Sequence, residues 1–175
     1  NNGFVNWDDD LYVTNNSVIQ SFSFQSVKHV FSSYFLSNYQ PLTMLTYLFE
    51  YKVCKLNPFG YHLTNIILHL LNCLLVFWLL YLLTKKIAVS LITMFLFGLH
   101  PLHVESVAWI SERKDVLYAI FFLGAIISYC YYLSQRKINR YYYLAVILFI
   151  ASLLAKAMAI TLPLVLFLVD YFFYR

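Results

Sequence analysis

The chain has 175 residues, of which 62% are hydrophobic, 20% aromatic and only 11% charged, where an average soluble domain is roughly 25% charged. This excludes an ordinary soluble domain and indicates a polytopic membrane protein, whose many Tyr and Phe suit the membrane interfaces. The net charge of +4 is modest and sorts by side of the membrane, so it speaks for topology and against a nucleic-acid partner. Cys54, Cys73 and Cys130 are odd in number, which supports neither a disulfide framework nor a CxxC metal site. An opening at Asn1 without Met, and an end at Arg175 straight after an apolar run, are expected of an excerpt from a longer protein.

Residues 1–57 are mixed and polar, with no apolar run that approaches the ~20 residues of a spanning helix. Within them, 41–56 opens on Pro41 and places Leu42, Leu45, Leu48 and Phe49 at helical spacing. That pattern predicts an amphipathic helix, lying either at the membrane interface or in a small subdomain packed on the bundle.

Residues 62–84 contain no Asp, Glu, Lys or Arg and run directly into Lys85 and Lys86, the pattern of a spanning helix with a cytoplasmic charge pair. His62, Asn65, His69 and Asn72 fall on one face of it. Such a stripe either hydrogen-bonds to neighbouring helices or lines a cavity. The next apolar run, 87–99, is short: its thirteen residues span roughly 20 Å at 1.5 Å each. Either it continues through a kink at His100 and Pro101, or it stops at membrane depth and the following polar run lines a cavity.

That run, HPLHVESVAWISERKD at 100–115, is the most charge-dense of the chain. Charge beside lipid is costly enough to mark a functional site. A further span over 116–133 and a basic loop over 135–140 follow. Residues 141–169 carry Lys156 as their only charge and read as two short spans meeting there. The predicted fold is therefore all-α, a polytopic transmembrane bundle. Residues 1–61 form an extracytoplasmic acidic loop with an interfacial helix, and 62–175 about five spans. With Lys85 and Lys86 in the cytoplasm, alternate crossings return Arg136, Lys137, Arg140 and Arg175 there. Asp8, Asp9, Asp10, the 100–115 run and Lys156 then share the opposite side.

Transfer from a phosphate-linked lipid donor needs a base for the acceptor proton and cations for the departing phosphate. Asp8 or Asp9 supplies the base; Arg113, Lys114 and Lys156 supply the clamp, with His100 and His103 as further donors. Each has a plainer reading. The Asp run can be a solvated turn, 112–115 a set of mutual salt bridges, and Lys156 a snorkelling side chain. His100, His103 and Glu105 lack the HExxH spacing, so no metal ligand is assigned and no cofactor is required, although a divalent ion is compatible with the site. No GxGxxG, P-loop or GxSxG is present.

Five ordered blocks resemble one family: FVNWDDDLYV at 4–13, YQPLT at 39–43, NPFGYHLTN at 57–65, HPLHVESVAWISERKDVL at 100–117 and LAKAMAITLP at 154–163. The chain resembles the transmembrane and tetratricopeptide-repeat (TMTC) proteins and their bacterial relatives, membrane glycosyltransferases of the GT-C superfamily. The resemblance implies a GT-C fold, a spanning helix before Asn1, and further spans and tetratricopeptide repeats (TPR) after Arg175. It implies a polyprenyl-phosphate sugar donor, mannose in the animal members, and inversion at the anomeric carbon. The acceptor would be a hydroxyl-bearing protein or glycan.

By motif, Asp8 resembles the catalytic base, in a pattern with Asp9 and Tyr12, and Glu105 the second acidic residue. Arg113 and Lys156 match basic positions near the donor phosphate, while Tyr12, His62, Asn65 and His69 would line the cavity. Gln40 departs from a more usual Arg, and Ala157 from a Glu of the animal members, which leaves Lys156 freer to meet an anion. The Trp-Asp-Asp-Asp form is closer to the bacterial members and favours the bacterial inner membrane over the endoplasmic reticulum membrane, with the site extracytoplasmic or lumenal. Two other readings compete: a transporter or flippase with His62, His69, Glu105 and Lys156 along a solute path, and an inactive module that anchors downstream repeats.

Overall fold

The computed structural model describes residues 3–135 and 138–174. Eight α-helices are present among them: α1 (Phe24–Ser32), α2 (Pro41–Cys54), α3 (Pro58–Thr84), α4 (Ile87–Gly98), α5 (His103–Ala108), α6 (Arg113–Gln135), α7 (Arg140–Ala155) and α8 (Leu162–Tyr174). A π-helical turn at Asp10–Thr14 precedes α1, and short 3-10 turns at Ile110–Glu112 and Ala157–Thr161 lead into α6 and α8. Of the charges that orient the chain, Arg136, Lys137 and Arg175 lie outside the described residues.

Helix α3 starts where the Asn57 side chain accepts the Phe59 N–H (3.1 Å), with Pro58 in the first turn. It is long and apolar enough to cross a membrane, as is the stretch Ile110–Gln135 that contains α6. Only 17% of the most apolar window of α3 is buried. Its outward Leu63, Ile66, Ile67, Leu70, Leu71 and Leu74 form an apolar face of the kind that lipid covers, since soluble monomers expose such patches only in small pieces. Helices α4, α7 and α8 are apolar but shorter.

Helix α4 stops at the level of His69, whose Nε2 donates to the Gly98 carbonyl (3.1 Å). A Cβ on Gly98 would sit 2.9 Å from Cys73 Sγ, so glycine allows this close approach. The helix does not continue through a kink. It is interrupted at 99–102, and α5 goes on along α3 toward its start, where Asn65 Nδ2 donates to the carbonyls of Val107 (3.3 Å) and Trp109 (3.2 Å). The connecting residues Leu99, His100, Pro101 and Leu102 are exposed.

Two apolar cores result. One gathers Tyr12, Val13, Ile19, Val30, Met44, Tyr47, Leu48, Tyr61 and Ile110, and so packs residues before α3 onto the bundle. The other lies between the long helices, around Leu79, Ala125, Ile126, Cys130, Leu162 and Val169. Helix α2 corrects its predicted face: it buries Thr43, Met44, Tyr47 and Leu48, while Phe49 is exposed. Leu42, Leu45 and Phe49 line a groove against Leu117 and Phe121 of α6. The helix is apolar on two sides because one side packs into the first core and the other faces α6.

Candidate functional site

The acidic run and the 100–115 run meet, although about a hundred residues separate them. Asp9 is fully buried. Its Oδ1 accepts from both the N–H (2.9 Å) and the hydroxyl of Ser111, and its Oδ2 from the Val5 N–H (2.9 Å). Trp7 stacks on Trp109, with ring centroids 5.7 Å apart. The three acids are thereby sorted. Asp9 has both oxygens occupied in holding the two segments together, and Asp10 accepts from Thr14 Oγ1 (2.8 Å). Asp8 is half-buried and, among the described residues, makes no hydrogen bond or ion pair.

Arg113 is likewise occupied. It is fully buried, with Nε donating to Asn65 Oδ1 (2.8 Å), Nη2 to the Tyr61 carbonyl (2.9 Å), and Nη1 to Thr46 Oγ1 (3.3 Å) and the Glu50 carboxylate. The guanidinium lies over the Tyr47 ring at 4.7 Å. Burial pushes the Tyr47 hydroxyl well above its usual range, against the pull of the guanidinium, and that hydroxyl donates to the Ile110 carbonyl (2.8 Å). All three guanidinium nitrogens are thus engaged within the protein, and Arg113 ties α2, α3 and α6 together. Glu50 was not anticipated. It is the sole carboxylate between Asp10 and Glu105, and a lone acid in an apolar helix needs a cation for the same reason that Lys156 needs an anion.

Lys156, at the break between α7 and the following 3-10 turn, pairs with Asp115, whose other oxygen accepts from Ser106 Oγ (3.1 Å). It is therefore not freer for an anion where Ala157 stands, because a partner 41 residues away takes it. Both side chains keep about a quarter of their surface exposed. Glu112 pairs with Lys114 (2.8 Å), and Lys114 Nζ lies 5.6 Å from the Tyr12 ring centre. Tyr12 itself is buried in the first core, so it supports the site from beneath and does not line a cavity. Asn65 is also fully buried and serves the hydrogen bonds given above.

Glu105 is exposed, and its carboxylate makes no hydrogen bond or ion pair among the described residues. It lines a cleft of about 540 Å3 with Phe4, Val5, His62, Val104 and Trp109. His62 also borders a neighbouring cleft of about 680 Å3 beside Asn57 and Phe59. His69, His100 and His103 border a separate hollow of about 330 Å3. Among the described residues they do not converge as a metal-ligand group. Burial lowers the His103 imidazole below its usual range, and the facing His69 and His100 add to this. The described clefts that hold His62 and Glu105 do not include Lys156.

Comparison with known proteins gives three informative relatives. The chain is 37% identical over 112 residues to "Protein O-mannosyl-transferase Tmtc3" of Drosophila melanogaster, covering 53% of the chain and 12% of the relative. It is 39% identical over 102 residues to "Protein O-mannosyl-transferase TMTC1" of Homo sapiens, covering 56% and 11%. It is 33% identical over 128 residues to "Protein O-mannosyl-transferase Tmtc1" of Drosophila melanogaster, covering 71% and 14%. The chain thus spans only a small part of the length of these relatives. They are animal proteins and lend no support to the bacterial inner membrane. No family model and no solved structure matches. Over the matched stretches, the chain is homologous to protein O-mannosyl-transferases and is TMTC-like.

Proposed function

We propose that the chain carries the reaction end of an inverting GT-C-type membrane glycosyltransferase. It would transfer mannose or another hexose from a polyprenyl phosphate to a protein hydroxyl on the extracytoplasmic or lumenal side. The observation that carries this reading is the sorting of the acids: Asp9 and Asp10 are bonded within the protein, and Asp8 alone is left open. The names of the relatives point to the same chemistry. Asp8 takes the proton of the acceptor hydroxyl as its oxygen bonds to the anomeric carbon. The bond from that carbon to the phosphate oxygen breaks, and the phosphate leaves as a stable anion without a general acid.

Lys114 and Lys156 hold the departing charge, each by exchanging a carboxylate partner for phosphate, and His100 and His103 add neutral donors. No resident metal or cofactor is needed. The test uses the full-length protein in bilayers, with polyprenyl-phosphate mannose and a Ser/Thr peptide. Asp8→Asn should reduce turnover by about 100-fold to 10,000-fold, the range for loss of a general base, while the protein still inserts and melts normally. Unchanged turnover in that variant overturns the proposal.

A further inference from the structure

We infer that the cleft between the N-terminal segment and α5 is a hexopyranose subsite, with the Trp7–Trp109 stack as its platform and Glu105 as its hydroxyl acceptor. This rests on the transferase reading and specifies where the sugar ring sits. Trp7 is 73% exposed even though one face lies on Trp109 at an interplanar angle of 26°. Trp109 lines the cleft, and the exposed Trp7 stacked on it extends this aromatic surface beside it. Such a surface suits the C–H face of a sugar ring, since aromatic side chains gain from apolar contact on their faces while their edges stay polar.

The polar side of the cleft matches as well. The Glu105 carboxylate accepts nothing from the described residues, and a carboxylate takes two neighbouring hydroxyls as a bidentate acceptor. Two nitrogens of cleft-lining side chains, His62 Nε2 and Trp109 Nε1, are buried with no partner among the described residues. Buried polar atoms without a partner are rare enough to need an explanation, and a polyol that meets them through a small side-chain shift supplies one. Phe4, Val5 and Val104 complete an apolar rim. The negative charge of Glu105 disfavours a phosphate at this position, so the subsite fits the neutral ring and leaves the phosphate to the cations elsewhere.

The test is saturation-transfer NMR on the full-length protein in nanodiscs, with methyl hexopyranosides as probes and no donor lipid. The wild type should transfer saturation to ring C–H protons. Trp7→Leu should reduce this at least fivefold, Trp7→Phe should restore most of it, and Glu105→Gln should weaken binding several-fold. Glu105 makes no contact whose loss could unfold the chain, so its variant keeps the test valid if Trp7→Leu misfolds. No transfer to any hexopyranoside, or equal transfer in Glu105→Gln and wild type, overturns the subsite. Because no turnover is involved, the two ideas separate. Binding without catalysis supports the subsite and counts against the transferase reading, and catalysis that Trp7→Leu and Glu105→Gln leave intact does the reverse.

Discussion

Asp9 and Ser111 are joined across 102 positions of sequence, the carboxylate accepting both the backbone N–H and the hydroxyl of the serine. Through this contact the acidic segment is held against the polar run, and Trp7 reaches Trp109. The pairing separates two neighbouring acids that look equivalent in sequence: one holds the site together and the other is open to act.

Asp9→Ala should therefore cost about 3 kcal/mol, because it strips acceptors from two N–H groups, one of them buried, and charged hydrogen bonds are the stronger class. Thermal unfolding and limited proteolysis should show the first twenty or so residues released. Asp8→Asn should leave both readouts unchanged. Equal destabilisation by the two substitutions would contradict the division of labour.

Breaking the Arg113–Glu50 pair should be expensive, because Arg113 is wholly buried. Glu50→Gln or Arg113→Met should each cost about 3–5 kcal/mol. Arg113→Lys should not rescue folding, since an ammonium cannot serve Asn65, Tyr61 and Glu50 together. A double-mutant cycle on thermal stability should show a coupling of about 1–3 kcal/mol. Additive effects would mean that the pair does not interact.

The Lys156–Asp115 pair is partly exposed, so its contribution to stability should be small, about 1 kcal/mol. Exchanging the two residues (Asp115→Lys with Lys156→Asp) should retain the fold. Under the proposed mechanism transfer should fall at least 100-fold, because that mechanism uses a cation at position 156 to hold the leaving phosphate. Turnover of the exchanged variant near wild type would restrict Lys156 to a structural part.

His103 gives a pH dependence with a defined sign. Burial and the facing His69 and His100 lower its value in the folded chain, so the unfolded chain binds more protons. Stability is then fully present above the unfolded histidine value of about 6.5 and declines as pH falls below it. The midpoint of thermal unfolding should drop between pH 7 and pH 5. His103→Gln should flatten that drop, and an identical slope in the variant would rule out His103 as its source.

The placement of the longer apolar helices was legible in the residues, whereas the short helices α1 and α5 were not anticipated. An uncharged run ending on Lys85 and Lys86 became α3, the run over 87–99 was correctly too short to cross, and Lys156 does stand at the break after α7. The physical reason is local: apolar length, charge and Pro58 act on the nearest few residues. The side chosen by α2 was not legible, because apolar residues surround it and its period selects no single face.

By itself the sequence determined that basic residues placed among apolar ones, Arg113 and Lys156, needed partners, since isolated charge in a medium of low dielectric is too costly to persist. Which residue answers which was decided only by tertiary structure. Helical spacing brings together residues three or four apart, whereas the partners here lie 63, 41 and 102 positions apart. Packing α2 and the N-terminal segment against the start of α6 spent Arg113 and Asp9 on the fold and left Asp8 and Glu105 open.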